Sequence, residues 1–459
     1  MTVFGLDIGT TTCCLVALDG KTGAELAVKT IPNASFLATD GAQARWQDPN
    51  LIWGKVQILL SEMEDMVGRP DCIGLAGQMH GIVYVNALGE AISPLYTWQD
   101  TRAASLDSGC GISHLAWLRR QSGYEGLSAG DGMSIHSVNL KLGLVPANTV
   151  ALCTIQDYIG MRLAKLQKPI THSSDAASFG LFNLKERTYD LIAMRRCGIY
   201  PGLLPQIMDG YQLIGTTPQD IPIALAVGDN QASFAGSLQE TLGSLVINVG
   251  TGGQVSFVCD RLCDDLLIQT RPYLDGQLLW AGLTLGSGRA YATLEQLFRN
   301  VVRMATGVEP ASLYSLMTQE GLSYSDSEPL QICAQLTGTR LQPQKRGSIE
   351  GIGEDNLTPG ALIWGFLRGI VQEFEQMYDI MRSHTDFIPK RLIGAGNGIR
   401  KNPLLCHIVS QTFGMPLLIP VHEEEAAYGA ALYALCACGK YHNIEEAQRI
   451  CVHYREVES

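Results

Sequence analysis

The chain opens on three short apolar runs, each closed by a polar or glycine-rich turn. Val3 to Asp7 reads as a strand and Gly9-Thr10-Thr11-Thr12 as a turn rich in backbone donors. Cys13 to Leu18 reads as a return strand, Asp19 to Gly23 as a second turn, and Ala24 to Lys29 as a third strand. Asp48 to Met66 then carries helical periodicity, with Asp48 or Asn50 near its start and Gly68 past its end. Cys72 to Ala76 is a further apolar strand, running into Gly77-Gln78-Met79-His80-Gly81.

The opening pattern returns in the second half. Ser244 to Asn248 is an apolar strand, Gly250-Thr251-Gly252-Gly253 a turn, and Gln254 to Cys259 a return strand. Asp7-Ile8-Gly9-Thr10 and Asn248-Val249-Gly250-Thr251 share one form, and Asn248 stands 241 positions after Asp7. A self-match of that period, placed at the start of each half, predicts a duplicated domain. The segment Thr216 to Pro222, polar and twice broken by proline, is the expected boundary before an apolar strand Ile223 to Val227. The division expected is therefore 1–222 and 223–459. Helical stretches follow at Ala290 to Thr306, Pro359 to Arg382 and Pro403 to Phe413, so the predicted class is α/β.

Composition narrows the function classes. At 459 residues the chain exceeds what one core usually supports, and 46% hydrophobic against 17% charged residues describes a folded protein. The net charge of −12 disfavours nucleic acid and membrane surfaces as partners. Nucleotide binding is not disfavoured, because it relies on local backbone amides and a metal ion. The longest apolar run, Ala426 to Gly439, is too short to span a bilayer, and no secretory signal is expected. Thirteen scattered cysteines without a Cys-x-x-Cys pair read as free thiols of a reduced, cytoplasmic compartment. A small-molecule substrate is the expected partner, and homodimerisation is left open.

Candidate chemistry lies in four places. The two Gly-Thr turns, Gly9-Thr10-Thr11 and Gly250-Thr251-Gly252, allow a phosphate to approach backbone N–H groups that a Cβ would shield. Asp7 stands beside the first turn, where a carboxylate would repel phosphate unless a cation such as hydrated Mg²⁺ intervened. Asp229 leaves its strand into Gly228-Asp229-Asn230-Gln231-Ala232, and is either a helix N-cap or a catalytic acid/base. Gly394-Ala395-Gly396-Asn397-Gly398-Ile399-Arg400 has the glycine spacing of a nucleotide loop but not the setting of a dinucleotide unit, and Gly-Lys-Ser/Thr phosphate loops are absent. Gln78, Met79 and His80, with Trp98 and Asp100 soon after, supply donors, acceptors and an apolar platform for a polyol. His80 alone would read as a structural histidine, and both readings of it stay open.

In these residues the chain resembles the FGGY carbohydrate kinases of the actin/hexokinase-like superfamily over essentially its whole length. Asp7-Ile8-Gly9-Thr10-Thr11 is similar to their first phosphate motif, Asn248 to Gln254 to their second, and Gly394 to Gly398 to their adenosine motif. Trp364 to Val371 and Glu424 to Leu432 are further similar blocks. The resemblance implies two actin-like, ribonuclease H-like domains with an interdomain cleft that closes by a hinge, the sugar on the N-terminal side and the nucleotide on the C-terminal side. It implies ATP and Mg²⁺ as cofactors. It also implies Asp229 as catalytic base, Asp7 as the acid near the metal, and Gly9, Thr10, Thr11, Gly250, Thr251, Gly252, Gly286, Gly396, Asn397 and Arg400 as nucleotide contacts. Gln78, Met79, His80, Trp98, Asp100, Asp229 and Asn230 would then meet the sugar. Within the family, Gln78 to Gly81, Thr97 to Asp100, Ser174 to Asn183, Gly228 to Ser233 and Phe366 to Gln372 are similar to ketose kinases. Sedoheptulokinases come first in that similarity and xylulokinases next. A non-catalytic actin-like sensor is the alternative of another class.

Overall fold

Strands that are apolar on both faces must be covered on both faces, and the opening strand Thr2–Ile8 is of this kind, with Val3, Phe4, Leu6 and Ile8 fully buried. A computed structural model describes residues 1–39, 41–324, 330–339, 342 and 344–456. The described chain divides into two compact units. The first comprises Met1–Gln239, Arg271–Leu278 and Glu424–Val452, and the second Glu240–Thr270, Leu279–Glu423 and the C-terminal segment from His453.

In the first unit the sheet runs in the order Glu25–Pro32, Thr12–Asp19, Thr2–Ile8, Cys72–Gly77, Pro222–Ala224, Leu213–Thr216. The first three strands are antiparallel neighbours, and Cys72–Gly77 joins Thr2–Ile8 in parallel. In the second sheet the order is Ile268–Pro272, Leu278–Thr284, Gly253–Cys259, Ser244–Val249, Arg391–Ala395, Leu417–Pro420, Tyr454–Glu456, and its inner five strands are those to compare with the first. Ser244–Val249 is again antiparallel to its hairpin partner and parallel to the strand that follows. The two sheets share one topology, so the duplication expected from the repeated strand-and-turn pattern is present in the fold.

The strand expected at Ile223 to Val227 forms as two pieces, Pro222–Ala224 and Val227–Gly228, both parallel to Cys72–Gly77. Between them the Leu225 N–H donates to Gln212 O at 2.8 Å, beside the antiparallel pairing of Pro222–Ala224 with Leu213–Thr216. The expected boundary at 222/223 likewise falls inside the first unit. The chain there continues through the helix Asp229–Gly236 before it leaves at 239/240, and Glu424–Val452 returns to the same unit.

Helices are set by caps and stripes as expected. Pro49–Val67 starts after Asp48, whose carboxylate accepts from Asn50 N and Leu51 N, and ends at Gly68 with φ of 83°. Its buried residues Ile52, Val56, Leu59 and Met63 form one face toward the core of the first unit. In the second unit Pro359–Ser383 presents Phe366, Ile370, Phe374 and Met381 to a separate core.

The helix Glu425–Ala437 has no polar side, because the first unit buries it all round. It lies so close to the sheet that a Cβ at Gly5 would stand 1.9 Å from Ala427 O, and one at Gly74 1.9 Å from Ala430 O. Gly429 meets the helix Asp229–Gly236 in the same way, 1.8 Å from Ala232 O. These glycines let backbone pack on backbone beneath the residue at which Asp229 emerges. Among the described residues no helix is long and apolar enough to cross a membrane.

Candidate active site

The turn after Thr2–Ile8 is held by side chains rather than by the sheet. Trp98 Nε1 donates to Thr10 Oγ1 at 2.9 Å, and Thr10 Oγ1 donates to Gln78 Oε1 at 3.2 Å. Gln78 Nε2 donates to Gln47 Oε1 at 2.8 Å, and Gln47 Nε2 returns to Thr10 O at 2.8 Å. This closed circuit fixes Thr10 against the Gln78 loop. Asn33 secures the two flanking positions, its Nδ2 donating to Gly9 O and its N–H to Thr11 O. Gln78 is thus buried and structural to the turn, whereas Trp98 keeps 47% of its surface exposed and Thr11 faces solvent.

His80 sits in a left-handed conformation with φ of 71°, which a non-glycine residue holds only when its surroundings enforce it. Its N–H donates to Ser178 Oγ at 2.9 Å, and its Nδ1 lies 2.8 Å from Ser178 O and 3.1 Å from Asp131 Oδ1. A backbone carbonyl can only accept, so Nδ1 carries a proton. Met79 is buried, and its Sδ would stand 2.7 Å from a Cβ at Gly228, so this loop abuts the Asp229 turn.

Asp229 is the first residue of the helix Asp229–Gly236, and Gly228 holds the N-cap position. Gly228, not Asp229, therefore holds the cap that the capping reading expected, and the Asp229 carboxylate accepts from the backbone N–H of Asn230. Burial pushes its carboxyl up to about 6, while His80, the Asn230 N–H and Arg271 pull it down. Asn230 is half-buried beside it. Asp7 is pushed further, to about 8, by burial first and then by the charges of Asp229 and Glu424. Asp7 Oδ1 is buried without a hydrogen-bond partner. An orphaned carboxylate oxygen flanked by two further acids suits a divalent cation. Among the described residues no three His, Cys, Asp or Glu side chains converge as a metal cluster, so phosphate and water would complete such a site.

Asp100 differs from expectation. It is 1% exposed, and both of its oxygens are already engaged, by Trp46 Nε1 at 2.9 Å and by Arg102 Nε at 2.8 and 2.9 Å. Arg102 in turn stacks over Trp46 and Tyr96. The carboxylate anchors the Trp98 segment from behind and offers no lone pair to a sugar. A cavity of about 670 Å³ lined by Lys168, Pro169, Tyr189 and Pro205 also lies in the first unit, and none of the expected site residues reaches it.

In the second unit the turn Gly250-Thr251-Gly252, Gly286 and the loop at Gly396 come together. A Cβ at Gly288 would stand 2.1 Å from Gly250 O, and the Arg289 N–H donates to Thr251 O at 3.2 Å. Gly396, with φ of 80°, would bring a Cβ within 2.7 Å of Asn248 Oδ1 and of Val249 O. Gly286 holds the N-cap of the 20-residue helix Ser287–Thr306 and supplies no side-chain cap, so the helix start can face an anion, while the Arg289 N–H is taken by Thr251 O. Asn397 opens the short helix Asn397–Arg400. Arg400 Nη1 donates to Pro420 O at 2.8 Å, so its guanidinium is tied in part to the fold. Sequence reasoning assigned no role to Ser178, Asp131, Arg271 or the Glu424 charge. Each acts through a tertiary approach that spacing does not encode.

Family models for the N-terminal and C-terminal domains of the FGGY family of carbohydrate kinases match residues 2–123 and 293–438, more than half of the chain together. The chain belongs to the FGGY family of carbohydrate kinases. Among its FGGY relatives, the sedoheptulokinase of Mus musculus is 27% identical across 94% of this chain and 96% of that protein. The xylulose kinase of Staphylococcus xylosus is 23% identical over 84% of this chain and 80% of its own length. The crystal structure of a xyloylose kinase from Brucella ovis superposes with a TM-score of 0.83 at 20% identity, covering all of this chain and 94% of that one. The FGGY fold, two actin-like α/β domains, is therefore the fold of this chain, and its activity is that of a sugar kinase.

Proposed function

We propose that this kinase transfers the γ-phosphoryl group of ATP to the primary hydroxyl of a ketose, with sedoheptulose the favoured substrate and sedoheptulose 7-phosphate the product. The observation that carries the reading is Asp229: a carboxylate at a helix start, raised by burial, beside the loop that carries Met79 and His80. Phosphoryl transfer passes through a loose transition state, so aim and charge matter more than basicity. Asp229 accepts the hydrogen bond of the attacking hydroxyl and takes its proton late. His80 Nε2 meets a second sugar hydroxyl, and the exposed Trp98 face packs against the carbon skeleton. Thr11 of the first unit contacts phosphate. Gly250, Thr251, Gly252, Gly286 and Asn397 of the second unit hold the nucleotide, with the uncapped helix at Ser287 facing its negative charge. Mg²⁺, held by Asp7 through water and by the phosphates, would neutralise charge on the transferring group.

The test is release of ADP with sedoheptulose, D-xylulose, D-ribulose, L-rhamnulose and glycerol at equal concentration. Sedoheptulose should give the highest kcat/KM. A higher value for D-xylulose would move the reading to the xylulose kinases that the chain also resembles. ADP release with none of the five would leave a non-catalytic sensor.

A further inference from the structure

Two serines of one six-residue helix, Ser173–Ser178, reach the two loops on which the proposed reaction depends. We infer that this helix is a positioning element that sets the catalytic carboxylate against the sugar-binding loop, through Ser174 at one end and Ser178 at the other. The inference rests on the assignment of Asp229 as base.

At the first end, Ser174 Oγ accepts the Gly228 N–H at 3.1 Å, the last backbone donor before Asp229. The hydroxyl is aimed by His172, whose Nδ1 lies 2.9 Å from Ser174 Oγ and also accepts the Ser174 N–H at 3.1 Å. A nitrogen that accepts a backbone N–H carries no proton, so the hydroxyl proton goes to Nδ1 and the oxygen lone pairs face Gly228. His172 Nε2 is 3.5 Å from Asp209 Oδ1, and Arg187 holds both oxygens of Asp209 at 3.0 and 3.1 Å. Arg187 also donates to Ser173 Oγ at 2.8 Å. His172, Ser173 and Ser174 are all at most 1% exposed.

The second end repeats the logic. Ser178 Oγ donates to Asp175 O at 2.7 Å, and with that proton spent it accepts the His80 N–H at 2.9 Å. Ser178 O accepts the His80 ring proton at 2.8 Å. Each serine thus gives its only proton to the helix or its cap, and each offers an acceptor to a loop outside it. A helix that merely filled the core would not single out the residue before Asp229 and the strained residue His80.

The two ends predict different kinetic defects. Ser174→Ala leaves the Gly228 N–H unpaired and lets Asp229 shift, which should lower kcat about 10- to 100-fold with KM for sugar and ATP within about twofold. Ser174→Thr, which restores the hydroxyl, should recover most of that loss. Ser178→Ala releases His80 and should raise KM for the ketose about tenfold while kcat and the ATP KM hold within about threefold. Asp229→Asn is measured alongside, and all variants are matched by thermal unfolding. An inactive Asp229→Asn with wild-type kinetics in Ser174→Ala overturns the positioning role and leaves the base assignment standing. Wild-type turnover in Asp229→Asn overturns both. A fall in kcat together with a rise in KM in both serine variants, with a lowered midpoint and no rescue by Ser174→Thr, shows a structural helix and overturns the inference.

Discussion

Asp229 combines two demands that pull its carboxyl in opposite directions. Burial favours the protonated form and raises the group to about 6, while His80, the Asn230 N–H and Arg271 favour the charge. The proposed base must be ionised to act, so the rate constant at low substrate should rise with pH below about 6 and level off above it. In a pH series of kcat/KM for the ketose, the acid limb should fall about tenfold per unit below that value. A profile flat down to pH 5 would mean that this carboxyl does not govern the step. The same shift has a cost in stability. The folded state keeps a proton on Asp229 that the unfolded chain releases near its ordinary 3.8, so stability from this group falls as pH rises from about 4 through about 6. Asp229→Asn should therefore raise the unfolding midpoint at pH 8, with the gain shrinking toward pH 4. Equal midpoints at both pH values would contradict the burial of an ionised group here.

At the scale of elements, glycine marks where backbones touch and where they merely turn. Gly429→Ala would drive a methyl to 1.8 Å from Ala232 O, and Gly74→Ala to 1.9 Å from Ala430 O, both rigid main-chain atoms. Each substitution should cost roughly 3 kcal/mol or more, in the range of severe overpacking. Gly54 is the control, because it lies inside the helix Pro49–Val67 with no atom within 4 Å of an added Cβ. Gly54→Ala should stabilise by about 0.5–1 kcal/mol through helix propensity. Urea unfolding of the three variants gives the comparison. Such elements also show what was legible in the sequence. The helices Pro49–Val67 and Pro403–Phe413 were readable because caps, proline and glycine mark both ends. The broken strand near Leu225 was not, since its apolar run is continuous and only the separate pairing of its two pieces with Cys72–Gly77 shows the gap. Asp100 misled for a related reason: an acid beside a tryptophan suits a polyol, yet Trp46 and Arg102 approach from elsewhere and take both oxygens.

At the scale of the molecule, the duplication is visible in the sequence because strand, turn and return strand recur near the start of each half, whereas the partition of the chain is not. Segment Glu424–Val452 belongs with the first unit, where its opening helix covers the strands Thr2–Ile8 and Cys72–Gly77. A fragment ending at residue 222 lacks that helix and also Asp229–Gly236, and exposes the apolar face they cover. It should be insoluble or fail to give a cooperative thermal transition, while the full chain gives one. A cooperative, soluble 1–222 fragment would mean that this cover is dispensable.

The proposed phosphoryl transfer turns on one carboxylate, Asp229. Its most direct test is steady-state turnover of Asp229→Asn with saturating ATP and sedoheptulose, together with its KM for ATP. The expected result is a loss of about 10²–10⁴-fold in kcat with the ATP KM unchanged within about twofold. Turnover within a few-fold of the unmodified enzyme would contradict it.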